Sequence, residues 1–366
     1  MKNILSFLKN NAVLSIAITL AVITAFIIPP DETYLGYFDL STLCCLFGTL
    51  AVVEALADIR FFEILARQII VKFKNLRAIT FALVFITYFG SMIMANDMAL
   101  ITFLPLGYFV LTKIGRKDKM AFTFIMQNVA ANLGGMLTPF GNPQNLYLYS
   151  FYNIPNREFF AIMFPPFIAA LLLIVICCFS VKRETVELKD DEILTLNKPR
   201  AILYLILFAI SVVSVMRVFP YYIGISIAVL GVLISDPKAY KKVNYGLLLT
   251  FCAFFVFSGN MSRIPVVSNL LSSLLSKNTL LVSALSCQVI SNVPSATLLC
   301  RFTDNYSALL RGVNIGGLGT PIASLASLIT LGSYKSGGEK TGKYLALFSA
   351  INFAFLAILL VVCSVF

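Results

Sequence analysis

The chain is 366 residues long, 59% hydrophobic and only 12% charged, about half the charged share of a soluble domain, which excludes an ordinary soluble fold. Its net charge of +11 falls mostly in short loops between apolar runs, the distribution of the positive-inside rule and not of a nucleic-acid surface. With no histidine the usual zinc site and imidazole base are absent, and the eight cysteines, without C-x-x-C spacing, read as small hydrophobes.

In chain order, a basic start (Lys2, Lys9) precedes a first span at about 13–29. No small-residue cleavage site follows it, so no signal peptide is expected and this span is retained. A second span lies at about 38–57. Between Asp58 and Arg77, the residues Arg60, Glu63, Arg67 and Lys74 fall near one helical face, predicting an amphipathic helix in the cytoplasmic interface. Glu54, near the inner end of the second span, is expected to snorkel.

The apolar segment 79–112 is interrupted at Gly90-Ser91 and Ala95-Asn96-Asp97, with basic residues beyond both ends. A single crossing would strand one basic cluster outside; a re-entrant hairpin with Asn96-Asp97 at its tip satisfies the charge bias better. A third span at 120–150 and a fourth at 159–181 complete the first half, 1–181, and the polar stretch 182–200 is a cytoplasmic linker. The second half, 201–366, has spans at 201–219, 221–235 and 244–262, then an interfacial helix at 263–277. A second interrupted segment, 279–310, has Ser291-Asn292-Val293-Pro294-Ser295 at its middle, and spans at 312–332 and 344–365 end the chain.

One stretch is written twice. Asn132-Leu133-Gly134-Gly135-Met136-Leu137-Thr138-Pro139 returns as Asn314-Ile315-Gly316-Gly317-Leu318-Gly319-Thr320-Pro321, an offset of 182 (314 − 132). Both copies read N-x-G-G-x-x-T-P inside a span, where Gly and Pro break a helix. In lipid, such a break survives only against protein or a watery cavity, and a matched pair of breaks points to a secondary transporter's binding site. With the N-terminus inside, nine spans put the basic loops inside and make the halves inverted copies, one hairpin opening to each side. The expected fold is an all-α polytopic membrane protein with two inverted repeats, about nine spans and two re-entrant hairpins.

Hairpin tips offer N–H groups suited to an anion, and breaks offer bare carbonyls suited to a hard cation. On this reading Asn96, Asn142, Ser291, Asn292, Ser295, Thr320 and Ser324 are candidates for binding a solute. Asp97, Asn132, Thr138, Asn145, Asn314 and Ser327 are candidates for the coupling ion, with Na⁺ held through Asn96, Asn132, Asn292 and Asn314. Helix caps and interhelical hydrogen bonds are the alternative use of the same groups. Asp97, a carboxylate at a midplane tip, reads as proton carrier or cation ligand, or as a capping residue on an inner loop. Arg301 and Asp304 have the spacing of an i, i+3 pair. Gly337-Gly338-Glu339-Lys340-Thr341-Gly342-Lys343 fits G-x-x-x-x-G-K, but Tyr344 replaces the required hydroxyl and no strand precedes it, so ATP is not the energy source.

On Ala95-Asn96-Asp97, Ser291-Asn292-Val293 and the two breaks, the chain resembles the ion transporter superfamily. That superfamily includes divalent anion–sodium symporters, citrate transporters, arsenite permeases and a sodium/proton antiporter branch. Ser291-Asn292 is similar to the start of the symporters' Ser-Asn-Thr tip, with Val293 in the third place, and Ala95-Asn96-Asp97 is nearer the permease and antiporter style. The resemblance implies a homodimer in a bacterial inner membrane, with a scaffold and an elevator-type transport domain. Its implied partners are a small anionic solute, a coupling cation (Na⁺ or H⁺) and the lipid bilayer, with no other cofactor. A sodium/proton antiporter or arsenite-type efflux permease is the second expectation. A passive channel would need a continuous polar stripe, and an intramembrane enzyme would need a nucleophile–base pair.

Overall fold

The computed structural model describes residues 12–186, 195–337 and 341–365. Lys2, Lys9, Lys340 and the middle of the linker lie outside the described residues. All regular structure described is helical: α1 (Ala12–Ile27), α2 (Leu40–Asp58), α3 (Phe61–Ile70), α4 (Leu76–Gly90), α5 (Asn96–Lys113), α6 (Met120–Gly134), α7 (Pro143–Phe151) and α8 (Asn156–Phe179). There follow α9 (Lys198–Val215), α10 (Tyr221–Ser235), α11 (Tyr245–Ser262), α12 (Pro265–Ile290), α13 (Asn292–Leu299), α14 (Tyr306–Ile315), α15 (Leu325–Ser336) and α16 (Thr341–Val365). Six of these (α2, α8, α9, α11, α12 and α16) are long and apolar enough to cross a membrane.

Local chemistry sets the helix starts. Asp39 caps α2 by accepting from Thr42 N at 3.1 Å, Asn75 caps α4 by accepting from Ala78 N at 2.9 Å, and Asn244 and Asn305 do the same for α11 and α14. Removing such a cap typically costs about 1 kcal/mol. On the short helix α3, Glu63 pairs with both Arg60 and Arg67 one turn to either side. The face beside this charged one buries Phe62, Ala66 and Ile70, giving the amphipathic pattern expected there.

The segment 79–112 folds as a helical hairpin. Its start and its end meet one stretch of chain: Leu76 N donates to Glu184 O at 2.9 Å, Arg77 Nε donates to Val181 O at 2.6 Å, and Arg116 pairs with Glu184. Both arms therefore open at the same end of the molecule, with the turn at 91–95 at the other.

The second hairpin differs from the expected bounds. Its first arm is continuous with the preceding amphipathic segment as α12, bent where Asn278 leaves helical geometry (φ −161°, ψ 88°). Asn278 re-caps the new arm by accepting from Leu281 N at 2.9 Å, which is why the helix resumes at once. Its second arm is short, ending at Phe302, and α14 begins a separate helix at Tyr306. Along α14, Gly312 lies against Leu280 and Ser283, and Gly316 against Ala284 and Cys287. The two helices thus run parallel, and α13 must return between them.

Both spans carrying the repeated motif are broken as predicted. The first is α6, a 3-10 turn, an open stretch and α7; the second is α14, an open stretch and α15. The motif's first glycine has the same purpose in each half. A Cβ at Gly134 would lie 2.0 Å from Tyr88 O and 2.5 Å from Ser91 Oγ; one at Gly316 would lie 2.8 Å from Ala284 Cα and 2.9 Å from Cys287 Sγ. Tyr88 and Ala284, like Ser91 and Cys287, are 196 positions apart (284 − 88), the offset of the two hairpin tips. A broken span lies backbone-to-backbone on its hairpin, and only glycine permits it.

Candidate functional site

The threonine of each N-x-G-G-x-x-T-P copy ties its break to its hairpin. Thr138 Oγ1 donates to Met92 O at 2.9 Å, and Thr320 Oγ1 donates to Gln288 O at 3.2 Å. Met92 and Gln288 are again 196 positions apart (288 − 92). The two hydroxyls thus anchor the carbonyls that the hairpin turns expose.

Carbonyls freed by the breaks are not bare, contrary to expectation. Asn145 Nδ2 donates to Gly135 O, Met136 O and Thr138 O at 3.3, 3.1 and 3.2 Å. In the second break Gln288 Nε2 donates to Gly316 O and Leu318 O at 2.9 and 2.8 Å, while its Oε1 accepts from Thr320 N at 2.9 Å. An amide side chain can reach several backbone groups at once, so one residue satisfies several groups of a break. Buried carbonyls seldom go unpaired, and these two amides supply the donors.

The amides of the two halves meet. Asn96 Nδ2 donates to Asn132 Oδ1 at 3.1 Å, joining the first tip to the first break. Asn142 Nδ2 donates to Asn132 O and to Asn314 Oδ1, both at 3.2 Å, crossing to the second break. Gln144 Nε2 donates to Asn314 Oδ1 at 3.4 Å, and Asn314 Nδ2 donates to Asn145 Oδ1 at 2.6 Å. A Cβ at Gly317 would face both Asn292 Nδ2 (3.0 Å) and Asn132 Oδ1 (3.4 Å), which places the second tip in the same cluster. Asn96, Asn132, Asn142, Gln144, Asn145, Asn292 and Asn314 are all buried. Two acceptors in this cluster, Asn142 Oδ1 and Gln144 Oε1, are buried and have no hydrogen-bond donor among the described residues. A buried acceptor left unpaired costs about 1–3 kcal/mol unless a water or an ion reaches it.

The second tip also carries strain. Ser291 holds φ 72° and ψ 159°, a region populated essentially by glycine and costing about 1–3 kcal/mol. It is held there by Ser291 N donating to Cys287 O (3.0 Å), Asn292 N to Ala323 O (2.9 Å) and Ser291 Oγ to Ala323 O (3.3 Å). In both tips the asparagine Oδ1 caps the next residue, accepting from Asp97 N at 3.0 Å and from Val293 N at 2.9 Å.

Other predicted site residues lie at the margin of the cluster. Ser324 caps α15, accepting from Ser327 N at 3.2 Å, and the two hydroxyls are 2.9 Å apart. Ser295 lies buried beside Cys287. Asp97, one residue on from Asn96 and so about 100° round the helix, faces the Asn244 side chain at the start of α11 and not the amide cluster. Glu54 is only 8% exposed, so it does not snorkel; its neighbours are Asp58, Lys242 and Asp97. Arg301 does not pair with Asp304 among the described residues; its guanidinium donates to Ser258 Oγ and Tyr37 O and lies over the Tyr37 ring.

Gln144 and Gln288 are the site residues that sequence reasoning missed. Gln144 had a signal: three amide side chains occur in the four residues Asn142-Pro143-Gln144-Asn145. Gln288 had none, because its counterpart is Met92.

Comparison with known proteins identifies the family. A family model described as citrate transporter matches residues 4–311. An uncharacterized transporter of Methanocaldococcus jannaschii is 33% identical over 359 residues, covering 96% of each chain. An inner membrane protein of Escherichia coli is 26% identical over 331 residues, covering 88% of each. The family match takes in the first half with its break and the second half as far as its hairpin, and the chain belongs to the citrate transporter family, a family of membrane transporters and not of enzymes.

Proposed function

We propose that the chain is a secondary active transporter that couples movement of a small anion, a di- or tricarboxylate such as citrate, to Na⁺ or H⁺. The observation that carries this reading is the pair of donorless buried acceptors, Asn142 Oδ1 and Gln144 Oε1, inside a cluster joining both breaks. Amide oxygens without donors are ligands for a hard cation or for a water that stands in for one. The tips bring Asn96 and Asn292 to the same place, where N-terminal helix dipoles favour the solute's negative charge.

Inverted repeats and an elevator motion belong to the same proposal. The matched contacts at Gly134 and Gly316, and at Thr138 and Thr320, support a duplicated unit. The hairpin of α4 and α5 opening onto 181–186 supports re-entrance from the face bearing the basic loops. The moving part then comprises both hairpins and both broken spans, with α3 and the first half of α12 as arms, in a homodimer whose N-termini are cytoplasmic.

A proton-coupled antiporter or arsenite-type permease is favoured by one separate observation. Asp97 is 3% exposed and sits near a second buried carboxylate, Glu54, and intramembrane carboxylates of this kind mark proton paths. Thermal-shift titration of the purified protein separates the readings. Stabilisation by Na⁺ over K⁺, increased by citrate and lost in Gln144→Ala, is the expected result. No response to either ion or any carboxylate from pH 5 to 8 would sink the amide site.

A further inference from the structure

A cavity of about 770 Å³ lies away from the amide cluster, between the amphipathic helix α3 and the hairpin arm α4. Its floor is a stripe along one face of α4, Arg77, Phe81, Phe85 and Phe89, at the i, i+4 spacing of a single helix side. From Arg77 to Phe89 that stripe is about 18 Å long at 1.5 Å per residue, enough to line one leaflet's half of a roughly 30 Å hydrocarbon core. The wall across from it comes from α3, where Leu65 and Ile69 are exposed.

The groove is charged at one end alone. Arg77 and Arg183 line its mouth, and Lys72, Lys74 and Lys182 are exposed in the adjoining loops. No carboxylate is among its lining residues, and the nearby Glu184 is engaged with Arg116. Beyond Arg77 the lining is aromatic and aliphatic to its far end at Ile93. An apolar channel one leaflet deep with a cationic mouth complements the shape and charge of an anionic lipid.

We propose that this groove binds one anionic phospholipid, its phosphate held by Arg77 and Arg183 and an acyl chain laid along the α4 phenylalanines. Basic pockets between membrane helices recognise such headgroups, each nearby cation contributing about fivefold in affinity. Because the groove lies along the seam where α3 packs on the hairpin, the lipid sits between the proposed supporting arm and the hairpin. It would set how freely the hairpin shifts against α3.

Native mass spectrometry of the delipidated full-length protein, titrated with phosphatidylglycerol and separately with phosphatidylcholine of the same chains, tests this. Wild type should retain phosphatidylglycerol at least fivefold better than phosphatidylcholine. Arg183→Gln, at an exposed position, should cut that preference about fivefold. Arg77 also donates to Val181 O, so it is the poorer variant. Ala78→Phe, which fills the groove at a partly exposed lining position, should weaken both lipids while leaving the size-exclusion profile unchanged. Equal retention of the two lipids, undiminished phosphatidylglycerol binding to Ala78→Phe, or complete displacement by millimolar inorganic phosphate would each overturn the proposal.

Discussion

Asn314→Ala isolates the join between the two halves. The Asn314 amide accepts from Asn142 and Gln144 and donates to Asn145 and to Leu310 O. Two of those partners have alternatives: Asn142 Nδ2 also reaches Asn132 O, and Leu310 O accepts in the helix ladder. The other two do not. Asn145 Oδ1 would lose its only donor and Gln144 Nε2 its only acceptor among the described hydrogen bonds. Each orphaned group costs about 1–3 kcal/mol, so the variant should lose about 4 kcal/mol, a fall in melting temperature on the order of 10 °C. Asn314→Asp should do no better, since it keeps the acceptor but sets an oxygen against Asn145 Oδ1. The assay is tryptophan-free thermal unfolding in detergent, followed by thiol-reactive dye uptake at the buried cysteines. A fall of less than about 3 °C in Asn314→Ala would refute the reasoning, because the cluster would then be a set of independent amides.

Three further expectations follow from single positions. Gly134→Ala places a Cβ 2.0 Å from the Tyr88 carbonyl and should abolish the folded monodisperse fraction in size exclusion, whereas Gly332→Ala, with nothing within 4 Å, should not. Ser291→Gly should melt within a few degrees of wild type, because relief of strain offsets the lost hydroxyl, while Ser291→Val should be less stable than Ser291→Gly by roughly 2 kcal/mol; equal melting points would show that the tip is unstrained. Asp97→Asn should abolish proton-dependent flux in proteoliposomes while leaving the melting curve nearly unchanged; unaltered proton dependence would remove Asp97 from the coupling path.

What the sequence made legible is what breaks a helix. Two glycines and a proline within a span forced the interruptions at 135–142 and 316–324, and the charge bias favoured a turn back within 79–112. Asn96, Asn132, Asn142, Asn145, Asn292 and Asn314 were identifiable because amides inside apolar spans need partners there. Which partner each found was not legible. Helical periodicity gives the direction of a side chain to within a face, so Asn96 and Asp97, adjacent in sequence, diverge to the cluster and to Asn244. Glu54 was misread for the same reason: position near a span's end suggests snorkelling, but its face is covered. The bend at Asn278 leaves α12 unbroken by hydrogen-bond pattern, and no glycine or proline marks it. Gln288 serves the second break as Asn145 serves the first, from a position that the repeat does not match.

The proposed function requires that one cluster bind an ion and a solute together. Uptake of labelled citrate and related carboxylates into proteoliposomes, driven by an imposed inward Na⁺ or proton gradient, tests it most directly. The predicted result is accumulation above equilibrium that follows one of the two gradients and is lost in Asn142→Ala protein that still elutes as a folded species. Equilibration without accumulation, or accumulation that Asn142→Ala leaves intact, would contradict it.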